Sequence, residues 1–228
     1  MKHIAIIPAR SGSKGVKNKN IKILNGLPLI TYTIRAAIDS KVYSSIYVST
    51  DSQEIADIAI SEGALVPFLR SNNLSNDSAL AVDVMLDMLN NIQIEDPATT
   101  YFSMLQPTTP LRSSEDCIYT NDILQNSPIS SLISVTECSE HPYKMVRKST
   151  DNIRLNFLDW PIENPPRQSL PEIYIYNGAF YSSNVNYFLK NKTFVSSKTY
   201  LYEMPKNRSI NIDDEIDFSL AEILASAT

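Results

Sequence analysis

Four cations and two of the chain's five glycines crowd into one short stretch, PARSGSKGVKNKN, residues 8–20. The stretch contains no acid and directly follows the apolar run IAII. Glycine lets the backbone approach a ligand closely and adopt positive φ. Successive N–H groups in such a turn form an anion-binding nest. Arg10, Lys14, Lys17 and Lys19 bring the counter-charge. A triphosphate needs both features. The competing reading is a solvated, flexible basic loop. Neither G-x4-G-K-[ST] nor G-x-G-x-x-G is present, so neither a Walker loop nor a dinucleotide fingerprint explains the stretch.

The charge of the rest of the chain sharpens this. The 228 residues carry a formal net charge of -5, yet residues 1–38 hold seven cations and no acid, which leaves -12 for the remainder. A nucleic-acid binder shows a broad basic face, and a small basic loop in an acidic body fits a small anionic ligand better. The two histidines exclude a His-rich zinc site, and the two cysteines, Cys117 and Cys138, form no C-x-x-C. They read as thiols in a reducing compartment. MKHIAII is too short and too quickly polar for a signal peptide, and no apolar run reaches the roughly 18 residues of a membrane span. The expectation is a soluble cytoplasmic protein with no membrane and no nucleic-acid partner.

The elements that must hold the loop alternate at α/β spacing. Strands are expected at residues 3–7, in SIYVST, in ALVPFL, in TYFSML and in SSLISV. Helices are expected in PLITYTIRAAIDS, with Pro28 in its first turn, in DSQEIADIAISEG, in SALAVDVMLDMLNNI and in SSEDCIYTNDILQN. Such a pattern builds a parallel sheet covered by helices on both faces, with ligands beyond the carboxyl ends of the strands. The basic loop, STDS and QPTTPLR all follow strands and should share one rim. The rhythm breaks after residue 137 into a proline-rich irregular segment that holds the only Trp. Strand character returns in EIYIYNGAFYSS, and residues 213–227 read as a closing helix. The expected division is a core of residues 1–137 and 171–228 with an arm of residues 138–170.

The order of the motifs adds a resemblance. IIPARSGSKGVKNKNI, NGLPLITYTI, VSTDSQEIADIA, LQPTTPLR, PPRQSLP, YNGAFY and INIDDEIDF occur in this order along nearly the whole chain. The chain thereby resembles the bacterial cytidine-monophosphate sialic acid synthetases, or acylneuraminate cytidylyltransferases. The resemblance implies a three-layer α/β/α nucleotidyltransferase fold with a protruding dimerisation arm. It implies transfer of CMP from CTP to the anomeric hydroxyl of a nine-carbon keto sugar acid, with Mg²⁺ as cofactor, pyrophosphate as product and a homodimer as the assembly. N-acetylneuraminic acid is the first acceptor implied, with legionaminic or pseudaminic acid as alternatives. PPRQSLP and NGAFY argue against an eight-carbon keto-deoxy acid. A nucleotide-binding module that has lost its chemistry is the reading from another class.

Residue by residue, the resemblance assigns Arg10, Lys19 and Asp213 to catalysis. Ala9, Arg10, Ser13, Lys14, Gly15 and Asn20 are assigned to the nucleotide's phosphates, and Arg70 and Ser78 to its cytidine part. Gln106, Lys144, Arg167, Asn177, Tyr181 and Phe194 are assigned to the sugar, with Lys144 reaching across a dimer. Read alone, Tyr181 and Phe194 are core aromatics, Lys17 is solvated, and Arg112 either serves the site or pairs with an acid. Phe157, Leu158 and Trp160 would anchor the arm on a partner. INIDDEID departs from the family's Asp-x-Asp metal motif, because Asn211 stands at its first position and Asp213 at its second. Mg²⁺ prefers carboxylate oxygens, so Asp213 is the main expected ligand and Asn211 a weak or supporting one. Asp214, Glu215 and Asp217 fit the first turn of the last helix, where negative charge favours the dipole.

Overall fold

A computed structural model describes residues 2–13, 15–95, 99–158 and 166–226, with the side chains of 93–95 and 167 excepted. The apolar run at the N-terminus forms strand β1, Lys2–Pro8, whose residues 3–7 are all buried. A strand covered on both faces reads as such a continuous run. A small hairpin of β2, Ile23–Leu24, and β3, Leu27–Pro28, leads into helix α1, Leu29–Ser40. Then follow β4, Ser45–Ser49; α2, Gln53–Ser61; α3, Ala81–Glu95; β5, Thr99–Met104; α4, Ser114–Asn126; and β6, Ser131–Glu137. A two-stranded hairpin of β7, Val146–Lys148, and β8, Arg154–Asn156, stands apart from the main sheet. The chain closes with β9, Tyr174–Asn184; α5, Val185–Asn191; β10, Thr199–Glu203; and α6, Glu215–Ser226.

The main sheet has the order β10-β6-β9-β5-β1-β4. β1 pairs in parallel with β4 and β5, and β10 with β6; β9 runs antiparallel between β5 and β6. The sheet is therefore mixed, mostly parallel, with one reversed strand that the α/β rhythm of residues 1–135 did not signal.

Alternation along β1 separates the layers. Ala5 and Ile7 face a cluster fed by Ile30, Ile34 and Ala37 of α1, Ile55 and Ala59 of α2, and Cys117 and Leu124 of α4. Ile4 and Ile6 face the opposite cluster, built from Val84, Met85, Met88 and Leu89 of α3 and from Val185 and Phe188 of α5. The result is the expected three layers, helices on both faces of one sheet. A third cluster, with Val16, Leu24, Leu29, Ile212, Phe218 and Ala221, packs the basic loop and α6 against the start of α1.

Local signals fix the helix ends. Ser52 Oγ accepts from Ile55 N at 3.4 Å to cap α2, and Gly63 at φ 93 turns the chain after it. Ser113 and Asp116 form a reciprocal capping box at α4. ALVPFL is not a strand: only Leu65 bridges, to Tyr47. Pro67 lacks the N–H that would extend that ladder. Among the described residues no helix is long and apolar enough to cross a membrane.

Candidate active site

The basic loop leaves β1 at its carboxyl end and is tied down along its length. Ala9 N donates to Ser49 O at 2.9 Å, and the Ala9 side chain is buried. Ser11 donates through both N and Oγ to Asp51, each at 2.8 Å. Val16 is inserted in the third cluster. Asn20 Nδ2 donates to Arg10 O at 2.9 Å, and Lys19 Nζ donates to Ile212 O at 2.5 Å. The loop is thus held against the end of β4 and against the segment before α6.

Gly15 is required where the loop crosses that segment. A Cβ built on it would lie 1.9 Å from Asp213 O and 3.1 Å from its carbonyl carbon. Those are backbone atoms and cannot swing aside. The same segment is fastened to the turn after β5, because Ile212 N donates to Thr108 O at 2.8 Å.

These strand ends enclose a cavity of about 410 Å³, within the roughly 300–1,000 Å³ of small-ligand pockets. Its lining brings together Arg10, Ser13, Gly15, Lys19, Asn20, Arg70, Gln106 and Asp213 from four separate stretches of the sequence. Three cations share the wall. Burial pulls the Lys19 ammonium down from its usual value; Asp213 and Asp217 hold it up against that, and Arg10 adds to the lowering. Burial likewise lowers Arg70, opposed by Asp51 and reinforced by Arg10. An anion entering the cavity would meet charge already stripped of much of its water, where Coulomb attraction is stronger than in bulk.

Other expected residues lie elsewhere. Asn177 is buried and its amide is consumed by the fold: Oδ1 accepts from Ser134 Oγ at 2.5 Å and Ala179 N at 3.1 Å, and Nδ2 donates to Ser209 Oγ at 2.9 Å. Phe194 is a core aromatic, with ring centroids 4.7 Å from Phe188 and 5.6 Å from Tyr181. Ser78 is exposed and bonds Asn76 Oδ1 through N and Oγ. Lys144 ends an exposed 3-10 turn ahead of β7. Arg167 opens a 3-10 turn, but its side chain, Lys14 and Trp160 lie outside the described residues.

The Arg112 guanidinium is engaged by the fold. It is buried and donates to Ala179 O at 2.9 Å, Gln106 O at 3.0 Å and Thr33 Oγ1 at 3.1 Å. It therefore staples β9 and α1 to the QPTTPLR turn. Asp77, with Asn76, lines the cavity although sequence reasoning passed over both. Asp77 Oδ1 lies 2.8 Å from Arg10 Nη1. The only sequence signal was the density of Asn, Ser and Asp in SNNLSNDS, which reads equally as a loop.

The family model for cytidylyltransferases matches residues 4–210. The chain belongs to the cytidylyltransferase family. It is 35% identical over 220 residues to an N-acylneuraminate cytidylyltransferase of Streptococcus agalactiae, covering 96% of this chain and 52% of that protein. The chain thus spans about half the length of the N-acylneuraminate cytidylyltransferases it matches. It is 36% identical over 231 residues to a CMP-N,N'-diacetyllegionaminic acid synthase of Legionella pneumophila, covering 98% of this chain and 96% of that one. Among solved structures, a CMP:2-keto-3-deoxy-manno-octonic acid synthetase complexed with CTP superposes with a TM-score of 0.72 at 15% identity, over 100% of this chain and 99% of that one. That likeness speaks for the cytidylyltransferase fold.

Proposed function

We propose that this chain transfers CMP from CTP to the anomeric hydroxyl of a nine-carbon sialic-acid-type sugar, releasing pyrophosphate. The observation that carries the reading is the cavity at the strand ends, where Arg10, Lys19 and Arg70 face one space beside the Gly15 loop. The sugar hydroxyl gives up its proton, its oxygen bonds to the α-phosphorus, and the bond to pyrophosphate breaks. Negative charge grows on the phosphate oxygens throughout. Arg10 fits the role of stabilising it, because a planar guanidinium binds phosphate oxygens in pairs. Lys19 adds a partly desolvated point charge, and Ser13 and Gly15 border the phosphates. Arg70 and Ser78 are assigned to the cytidine side. Gln106 and Tyr181 are assigned to the sugar side, with Phe194 backing Tyr181 from the core and Lys144 and Arg167 supplied from the arm. Asn177 serves this site by holding the turn beneath it.

Mg²⁺ binds through one or two carboxylates together with substrate phosphates and keeps several waters. The residues fit that mode. Asp213 lines the cavity. Asn211 Nδ2 donates to Asp213 Oδ2 at 3.0 Å, and Asn211 Oδ1 is buried with no hydrogen-bond partner. Asp213 would hold the ion, and Asn211 would orient Asp213. When bound, the ion supplies neutralisation of phosphate charge.

The homodimer belongs to this proposal. The β7–β8 arm exposes Met145, Val146, Leu155, Phe157 and Leu158, each by 43% or more, and an apolar face of that kind marks an interaction surface. Sedimentation of the chain as a monomer would remove this part. The free thiols of Cys117 and Cys138 accord with a cytoplasmic setting.

The test is pyrophosphate release from CTP and Mg²⁺ with N-acetylneuraminic, legionaminic, pseudaminic and eight-carbon keto-deoxy acids in parallel. Release with one nine-carbon acid supports the proposal and names the acceptor. The legionaminic reading is carried by the relative named for that acid. Silence with all of them, in the native chain and in Asn211→Asp at every Mg²⁺ concentration, would leave a nucleotide-binding module.

A further inference from the structure

Arg10, the cation with the most central part in the proposed chemistry, is already engaged. Its Nη1 lies 2.8 Å from Asp77 Oδ1. Both residues line the same cavity, Arg10 from the loop after β1 and Asp77 from the segment between Arg70 and α3. That segment is built from local turns. Asn72–Leu74 is a 3-10 turn, Asn76 Oδ1 accepts from both N and Oγ of Ser78, and Asn76 Nδ2 donates to Asn73 O at 3.0 Å. Arg70 Nε donates to Ser75 Oγ at 3.2 Å at its base. The Arg10–Asp77 pair therefore fastens a loop of turns across the cavity to the glycine loop.

We propose that Asp77 is a built-in competitor for Arg10, a carboxylate standing where a phosphate oxygen of the nucleotide would accept. This rests on the triphosphate reading of the cavity. The side chains of Arg10 and Asp77 are 34% and 48% exposed. Water screens such a pair, so it holds only weakly. A triphosphate brings more charge and can accept from the guanidinium fork in pairs, so it displaces Asp77 from Arg10. The same carboxylate then repels the bound phosphates from close range. Asp77 on this account lowers nucleotide affinity. It is a positioning residue that tunes binding.

The experiment is calorimetric titration of the full chain and of Asp77→Asn with CTP and, separately, with inorganic tripolyphosphate. Asn keeps the size and removes the charge, and its site is exposed, so circular dichroism should be unchanged. The expected result is that Asp77→Asn binds both anions about fivefold more tightly, the sum of a weak pair lost and a repulsion removed. The gain should shrink as NaCl is raised, because exposed charges are screened. Tripolyphosphate binding no tighter in Asp77→Asn than in the native chain would overturn the proposal while leaving the nucleotide site standing. A native chain that binds neither anion would overturn the proposed function and this inference with it.

Discussion

Gly15 shows how a single missing Cβ can carry a site. What demands glycine there is the Asp213 carbonyl, which leaves no room for a side-chain atom 1.9 Å away. Real Cβ atoms do not approach backbone oxygen so closely, so Gly15→Ala must lift the loop off the Ile212–Asp213 segment. Lifting it pulls Lys19 from Ile212 O and shifts the phosphate-facing backbone relative to Asp213. A displacement near 1 Å can cost about a hundredfold in rate. The expected outcome is a loss of about that size in kcat/KM for CTP, with far-UV circular dichroism unchanged because the loop lies outside the sheet. Native kinetics in Gly15→Ala would show that the close crossing is not needed.

At the scale of elements, the cavity depends on how β10 and the segment after it are locked to α4. Asp116 does this from the first turn of the helix. Its Oδ2 accepts from Ser113 N at 2.9 Å and Ser113 Oγ at 3.2 Å, closing the capping box. Its Oδ1 accepts from Tyr202 Oη at 2.6 Å and Arg208 Nη2 at 2.8 Å. The carboxylate is 2% exposed, so no water can replace four donors at once. Asp116→Ala opens half of the capping box, leaves the half-buried Tyr202 phenol without its acceptor and unpairs Arg208. Losing half of the box costs under about 1 kcal/mol, and breaking a buried pair about 3–5; Arg208 is partly exposed, so the sum should fall to about 3 kcal/mol. Urea unfolding would read this as a lower midpoint with an unchanged slope, and a shift under about 1 kcal/mol would mean that Arg208 and Tyr202 find other partners. None of this was legible beforehand, because Tyr202 and Arg208 meet Asp116 across 86 and 92 residues.

For the whole molecule, what the sequence disclosed and what it hid follow one division. Features written in consecutive residues were readable: the buried run of β1, the apolar spacing of α1 and α3, and the charge and glycine of the basic loop. Features made by distant residues were not: the reversed β9 at the centre of the sheet, the Arg112 staple and the Arg10–Asp77 pair. His3 belongs to the second kind, and it yields a prediction for the folded state as a unit. It lies in the middle of the fold, 2% exposed, joined to Asn121 Oδ1 through Nδ1 and to Ser103 Oγ through Nε2, each at 2.9 Å. The ring thereby links β1, β5 and α4, with Tyr43 edge-on at 4.8 Å. Burial pushes its pKa down from 6.5 to about 4, only partly offset by the Asn121 bond. The folded chain therefore takes up this proton later than the unfolded chain does. Stability from this group is intact above pH 6.5, declines as the pH falls from 6.5 to about 4, and levels off below. The full loss is about 3 kcal/mol, from roughly 1.4 kcal/mol for each pH unit of the depression. Carboxylates titrate in the same range, so the measurement is the difference between the native chain and His3→Gln, in which their contribution cancels. Urea unfolding at steps from pH 7 to pH 4 should show the native chain losing stability faster than His3→Gln. Parallel curves would mean that His3 is protonated in the folded state, and that the ring is hydrated or paired in a way its burial between Asn121 and Ser103 does not allow.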